Sequence, residues 1–234
     1  MDTPPWFLDE VAHAGREHLD PTYVPTYDDK AGTDPAEDLA LLRAQGLNAT
    51  HTLVDLGAGT GTFALAAARL CRRVIAVDVS PVMLQRLREK AARLGAGNIE
   101  CVQAGFLTYA HQGAPADFVY SRHALHHLPD FWKALALDRI AAILKGGGIF
   151  FLRDLVFSCD QRDTPQVVGA WLANAPPDGA SGWTRAELAT HLREEYSTFS
   201  WLLEPMIGHA GFAIRAAQHS DSQTHSAYTC IKTS

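Results

Sequence analysis

Three histidines within seven consecutive residues, Ser121-Arg122-His123-Ala124-Leu125-His126-His127, form the densest group of reactive side chains in the chain. Imidazole titrates nearest neutral pH, so such a group can accept a proton from a hydroxyl or orient a polar substrate. His126 is the first candidate for a base or positioning group, with His123 beside it. His127 reads as a structural histidine bonded to a loop. His123 and His126 can share one face of a helical turn, a spacing that also suits a metal ion. The sequence offers no clear third ligand, so no metal is expected. A second concentration of chemistry lies upstream, in Val54-Asp55-Leu56-Gly57-Ala58-Gly59-Thr60-Gly61-Thr62. Alternate glycines strip the turn of Cβ atoms, so a ligand can lie against bare main chain. The amides at the start of the next helix then point at whatever binds there.

The spacing selects the ligand. A dinucleotide fingerprint reads G-x-G-x-x-G, whereas here the third glycine comes one position early and Asp55 stands two residues before Gly57. The Asp55 charge would repel a pyrophosphate and suits a cationic ligand with an amino group. S-adenosylmethionine (SAM) has a sulfonium, an ammonium and no phosphate. Asp78 ends a second apolar run, Val74-Ile75-Ala76-Val77, 21 residues beyond Gly57. A carboxylate there can accept both hydroxyls of a ribose. Together these features favour SAM over a nicotinamide dinucleotide.

At this point the chain resembles the class I SAM-dependent methyltransferases. The resemblance rests on V-D-L-G-A-G-T-G, V-I-A-V-D-V-S-P-V-M-L, A-D-F-V-Y-S-R-H-A-L-H-H-L-P-D and L-K-G-G-G-I-F-F-L-R-D, spread from Leu53 to Asp154. It implies backbone contact with the amino-acid part of SAM at Gly57, Ala58, Gly59 and Gly61. Asp55 would orient the turn or meet the ammonium, and Asp78 would take the ribose. Val79 and Met83 would flank the adenine, Met83 being equally suited to ordinary packing. Family members often carry an acid after the third strand that accepts from the adenine amino group. Gly105 occupies that place here, so the side-chain contact is expected to be missing, leaving the Gly105 and Phe106 amides to read the adenine edge. The Phe106 ring would pack on the adenine or in the core. Ser121 lies where the family approaches the sulfonium, and the His123–Asp130 segment where it borders the methyl group. Arg122 faces either the SAM carboxylate or an acid elsewhere.

The elements that must position these residues follow from patterning. Strands are expected at 52–56, 73–78, 99–103, 117–121 and 148–155, the last after the Gly146-Gly147-Gly148 turn. Helices are expected at about 60–70, 81–94 and 130–144, with Ser80-Pro81 as N-cap and first-turn residue. This alternation predicts an α/β fold: a doubly wound, mostly parallel seven-stranded sheet with helices on both faces. An antiparallel pair at about 212–219 and 226–232 closes it. In one domain, residues 1–50 form a helical N-terminal lid, 51–156 the SAM-binding core, 157–210 a helical and looped substrate lid, and 211–234 the terminal strand pair.

Within the first lid, residues 6–19 have helical spacing. Prolines make 20–29 irregular, and Asp34-Pro35 opens a helix to about Gly46. The second lid has turn signals at Asp178-Gly179 and Ser181-Gly182, and a capping box at Thr184 and Glu187. Pro205 kinks or delays a helix over 201–209. The two lids offer Tyr23, Tyr27, Trp171, Tyr196 and Phe199 as an aromatic wall for a planar or apolar small acceptor.

At 234 residues and 47% hydrophobic composition, one domain with a full core is expected. A net charge of −6 argues against a broad nucleic-acid-binding face. The basic stretch Arg86–Arg93 includes Glu89 and reads as solvated helix surface. Four scattered cysteines without C-x-x-C spacing argue against zinc or a disulfide framework. A polar, proline-bearing start and the lack of a long apolar run predict a cytoplasmic protein without membrane contact. The expected activity is methyl transfer from SAM to a small-molecule O, N or C acceptor. Rival readings are a protein or RNA methyltransferase, a SAM-using lyase or cyclase, and a non-catalytic SAM-binding module. The oligomeric state is left open.

Overall fold

The computed structural model describes residues 4–177 and 182–233, so the turn signals at Asp178-Gly179 and Ser181 lie outside the described residues. The N-terminal segment carries α1 (Arg16–Leu19), α2 (Val24–Ala31) and α3 (Ala36–Ala44). The helix expected over 6–19 is reduced to α1. Asp9 Oδ1 accepts from the amides of Val11 (3.0 Å) and Ala12 (3.3 Å), which makes a turn instead, and Gly15 at φ 78° ends it. Residues 20–29, expected to be irregular, instead contain most of α2. Pro25 sits in the first turn, where its missing N–H has no intrahelical partner to lose. Before α3, Asp34 Oδ1 accepts from Ala36 N at 2.9 Å in the turn that leads in, but the cap position falls to Pro35 rather than to Asp34, and the helix ends two residues short of Gly46.

From Thr52 the expected alternation is present: β1 (Thr52–Leu56), α4 (Thr62–Ala67), β2 (Arg73–Asp78), α5 (Pro81–Leu94), β3 (Ile99–Gln103), β4 (Ala116–Arg122), α6 (Asp130–Ile143) and β5 (Leu144–Asp154). The lid insert follows with β6 (Val156–Phe157), α7 (Thr164–Ala173), α8 (Arg185–Glu194), β7 (Thr198–Phe199) and α9 (Ser200–His209). β8 (Phe212–His219) and β9 (Ser226–Lys232) close the chain. Among the described residues the main sheet has the order β3-β2-β1-β4-β5-β9-β8, with β9 antiparallel to both neighbours and the rest parallel. Strand order reverses between β1 and β4, and ligands of such sheets bind beyond the carboxyl ends of the strands at that point.

Alternation along β1 sends Val54 and Leu56 into one core with Ile75, Val77 and Leu152, and Leu53 into the other with Val74, Phe118 and Tyr120. Each such buried aliphatic side chain contributes about 1.5–3 kcal/mol. Tyr120 joins the second core to the N-terminal lid. Its ring stacks between Phe63 and Phe151, and its hydroxyl donates to Asp38 at 2.7 Å. Asp38 is fully buried and also accepts from Arg122 (3.1 Å) and from Arg153 Nε (2.9 Å). These bonds fasten α3 across the ends of β4 and β5. They settle the partner of Arg122 in this structure as an acid from another segment.

Three expectations shift. The glycine run 146–148 lies inside β5, whose pairing with β4 slips between Ala116 and Phe118, rather than in a turn before it. The helix α7 has no counterpart in the sequence reading. α9 begins at Ser200 and runs through Pro205, which only removes one helical donor. The capping box of α8 forms as expected: Glu187 N donates to Thr184 Oγ1 (3.3 Å) and Thr184 N to Glu187 Oε2 (2.8 Å).

Candidate active site

A cleft of about 90 Å³ opens at the carboxyl ends of β1, β2 and β3. Gly57 and Gly59 form its floor, Asp78, Val79 and Met83 one end, and Gly105 and Phe106 the other, under a cover of Glu10, Ala14, His18 and Tyr27. Gly57 has φ 77°, and a Cβ there would collide with Ala124; Gly59 faces open space. The turn satisfies its own amides. Gly57 N and Ala58 N donate to Val77 O (2.9 and 3.0 Å), Gly61 N to Ala58 O (2.9 Å) and Gly59 N to Asp78 Oδ2 (2.8 Å). These amides thus already have acceptors within the protein, and what Gly57 and Gly59 present to the cleft is bare main chain. Asp78 Oδ1 accepts from Ser80 N at 2.8 Å. Burial raises the Asp78 carboxyl above its ordinary range, against the lowering effect of the two amides. Asp55 lies buried beneath the turn. Burial first, and the Asp78 charge second, push its carboxyl well up, and its Oδ2 has no hydrogen-bond partner in the protein.

Gly105 has a use that the sequence conceals. A Cβ at that position would strike the carboxylate of Glu10, which reaches in from the N-terminal segment. Glu10 accepts from Leu107 N (3.0 Å) and Thr108 Oγ1 (3.0 Å), and burial raises its pKa. A carboxylate therefore stands beside Gly105 after β3, and it comes from a residue far away in sequence.

A cavity of about 650 Å³ adjoins the cleft, between the N-terminal segment and the insert. His18, Tyr27, Arg122, His123 and His127 line both spaces. Tyr23, Trp171, Trp183, His126, His191, Glu195 and His225 belong to the cavity. The N-terminal segment and the insert meet over it through the Lys30–Glu187 ion pair, with Lys30 Nζ 5.0 Å from the Trp183 ring and 5.7 Å from that of Tyr23.

His126 is nearly buried. Its Nδ1 is hydrogen-bonded to Asp154, its main-chain N–H donates to the same carboxylate at 3.0 Å, and its Nε2 lies 3.1 Å from Glu195 Oε2. Burial alone would lower its pKa, but the Asp154 and Glu195 carboxylates outweigh burial and push it up to about 9. His123 is the opposite. Burial pushes it down to about 3, and its Nδ1 has no partner in the protein. It holds a left-handed conformation (φ 49°), with its amide donating to Arg153 O at 2.9 Å. Backbone strain of this kind in a non-glycine residue costs about 1–3 kcal/mol and concentrates at functional sites.

A family model described as a methyltransferase domain matches residues 53–148. An uncharacterized methyltransferase of Mycobacterium tuberculosis is 30% identical over 171 residues, 66% of this chain and 82% of that protein. The chain belongs to the class I SAM-dependent methyltransferases. SAM is its cofactor. The magnesium protoporphyrin IX methyltransferase of Synechocystis PCC 6803, solved with bound SAM, has the same fold (TM-score 0.66, 15% identity, 97% of this chain and 99% of that one). So does the cyclase SpnF (TM-score 0.70, 16% identity, 96% and 97%).

In this methyltransferase, Gly57, Gly59, Asp78, Val79, Met83, Gly105 and Phe106 meet at the cleft. Asp55, Ala58, Gly61 and Ser121 do not stand on its wall. Gly61 instead lets α4 pack on α5, since a Cβ there would enter Leu87, and Ser121 is fully buried in β4. Of the aromatic residues expected around an acceptor, Tyr23, Tyr27 and Trp171 line the cavity. Tyr196 and Phe199 lie off it. Tyr196 donates its amide to His126 O at 2.8 Å, and Phe199 stacks on Trp201. Aromatic type alone did not reveal which face each residue presents. Glu10, His18, Trp183, His191, Glu195 and His225 were missed. Only the i,i+4 pair His191 and Glu195 on a well-capped helix left a local signal. No helix among the described residues is long and apolar enough to cross a membrane.

Proposed function

We propose that this methyltransferase transfers the SAM methyl group to a small-molecule acceptor held in the 650 Å³ cavity between its two lids. The observation that carries this reading is the wall common to cleft and cavity. An acceptor seated among Tyr23, Tyr27, Trp171 and Trp183 would face the cofactor across His123 and Arg122, inside a space that both lids cover. A cavity of this size and aromatic content suits a compact ligand.

The residues present fit SAM. The floor at Gly59 is open, the acid at Asp78 has capacity to accept from ribose hydroxyls, and Val79, Met83 and Phe106 offer apolar surface to a base. Glu10 stands where an adenine amino group would donate. The orphaned Oδ2 of Asp55 belongs to a carboxyl that burial and the Asp78 charge drive toward its neutral form, and a cationic ligand would favour its ionised form and give it a partner. At about 90 Å³ the cleft is smaller than the roughly 300 Å³ at which ligand sites begin, so entry of the cofactor would require its N-terminal cover to move outward.

Bound SAM supplies an electrophilic methyl on a sulfonium. The protein then has to hold the nucleophile in line and exclude water, and positioning of that kind accounts for much of the rate. His123, kept neutral by burial, offers its free Nδ1 to a hydrogen of the acceptor and so aims the acceptor's lone pair. Its low basicity suits orientation better than proton storage. His126 has both nitrogens turned to carboxylates, which removes it from the role of free base and leaves it to anchor the cavity wall.

A mass-shift screen tests the reading: cell metabolites are incubated with enzyme and SAM, beside His123→Ala. The expected result is one added methyl on a small metabolite, with a rate that falls further in the variant than its SAM affinity does. Methyl transfer confined to protein or RNA, or a product from SAM without any added methyl, would overturn it.

A further inference from the structure

We propose that His126, His127 and Glu195 hold a divalent transition-metal ion of the zinc class in the cavity wall, with His191 as a further donor. Two segments distant in sequence bring these donors together: the turn after β4 and the last turn of α8 with Glu195, the residue that ends it. Donor atoms of His126, His127 and Glu195 all lie within 4.8 Å of one another. Glu195 Oε2 is 3.1 Å from His126 Nε2 and in contact with His191 Nδ1. Two ligands about 2.0–2.1 Å from a tetrahedral ion stand about 3.3 Å apart, so the His126–Glu195 separation is that of neighbouring ligands.

Hydrogen bonding accounts poorly for the cluster. His126 Nδ1 is already hydrogen-bonded to Asp154, which leaves the Nε2 lone pair directed at a carboxylate oxygen. Two acceptors at that distance need a cation between them. A proton on Nε2 is one solution and serves the free protein, although Glu195 Oε2 is buried and no N–H is aligned on it as a hydrogen bond. An ion held by both atoms is the other. The support behind the cluster is also that of a metal site. Asp154 is fixed by the amides of His126 (3.0 Å) and Leu155 (2.8 Å) and orients the His126 ring from behind, the usual carboxylate–histidine–metal arrangement. The i,i+4 spacing of His191 and Glu195 puts two donors on one helical face. The hydrogen bond from His191 Nε2 to Ser197 Oγ, 2.8 Å long, leaves Nδ1 to face the ion.

The ion rests on this geometry alone. Its role rests on the acceptor-cavity reading. An acceptor oxygen, nitrogen or sulfur entering an open coordination position would lose its proton to solvent more readily, as water does on zinc.

The test uses the full chain, stripped with chelator and titrated with cobalt(II) as a spectroscopic probe. Wild type, His191→Ala and Glu195→Gln are compared, and SAM binding is measured by calorimetry on the same samples. One cobalt per chain with visible d–d absorption is expected, at least tenfold weaker in both variants, with SAM affinity within about twofold throughout. A rise in the wild-type melting temperature with zinc is expected as well, and it stands even if a variant fails to fold. Wild type that binds SAM but shows neither cobalt absorption nor a zinc-dependent rise would overturn the site. So would variants that keep full cobalt affinity. Metal binding without any methylated small molecule would instead count against the acceptor reading and leave the site intact.

Discussion

The cleft at the strand ends and the larger cavity beside it share five wall residues, yet they are made differently. The cleft is built mainly from β–α turns, where main-chain geometry does the work: glycines at Gly57 and Gly59, and an acid bonded to backbone amides at Asp78. The cavity is built from side chains of distant segments, the α2 aromatics, the post-β4 histidines, the face of α8 and His225. Its charges are balanced between side chains, Asp154 and Glu195 against His126. A site made of backbone fails through shape. A site made of side chains fails through unpaired charge.

Gly57→Val should have the largest effect. The new side chain would have to adopt φ 77° and enter the space of Ala124. Loss of measurable SAM binding by calorimetry is expected, with a fall in stability of at least the ~1–3 kcal/mol of left-handed strain. Gly59→Ala meets open space, so its stability cost should be the strain alone. Equal destabilisation by both variants would break the idea that close packing sets the floor.

Asp154→Ala probes the other construction. It leaves His126 beside Glu195 without its second carboxylate, and removing one partner of a buried ion pair costs about 3–5 kcal/mol. A large drop in the denaturation midpoint is expected, while residual folded protein binds SAM normally. A variant as stable as wild type would show that the cavity is not held by its charge pairing.

The same contrast explains what the sequence revealed. The β1–α4 turn and Asp78 were legible because strand, glycine turn and acid lie within a few residues of one another or at a fixed spacing. The sheet followed from the same local alternation. Glu10 was invisible. Nothing in its neighbourhood signals that it fills the space left by Gly105, because that complementarity exists only after folding. The helix α2 was hidden by prolines that a first turn accommodates. His126 stood out, but its partners Asp154 and Glu195 come from the end of β5 and from the insert, so its charge state could not be read locally. Tyr196 was chosen as an aromatic ring, and in the structure its ring lies off the cavity while its main-chain amide donates to His126 O.

Glu10 sharpens the comparison because it is a side-chain part in the backbone-built site. Glu10→Ala should weaken SAM binding by about 10–100-fold, the value of a hydrogen bond to a charged group. Adding Gly105→Asp to that variant should restore most of the affinity, since the new carboxyl would occupy the space that Glu10 vacates. Unchanged affinity in the single variant would remove Glu10 from adenine recognition.

The smallest effect, and the one with the most telling sign, belongs to Asp55. Its carboxyl is raised in the folded state by burial and by the Asp78 charge, from an ordinary 3.8. A raised acid contributes stability that is complete below the unfolded value and is lost as pH rises through the folded one. The free enzyme therefore carries a penalty at neutral pH that Asp55→Asn, of the same shape, would not. The variant should melt together with wild type near pH 4 and progressively above it toward pH 8. Calorimetry should show the opposite trend in SAM affinity, because the variant no longer offers a negative charge to the ammonium. If the two melting curves stay parallel across that range, Asp55 is ionised and compensated in the free protein, and the potential beneath the glycine turn is not what draws the cofactor in.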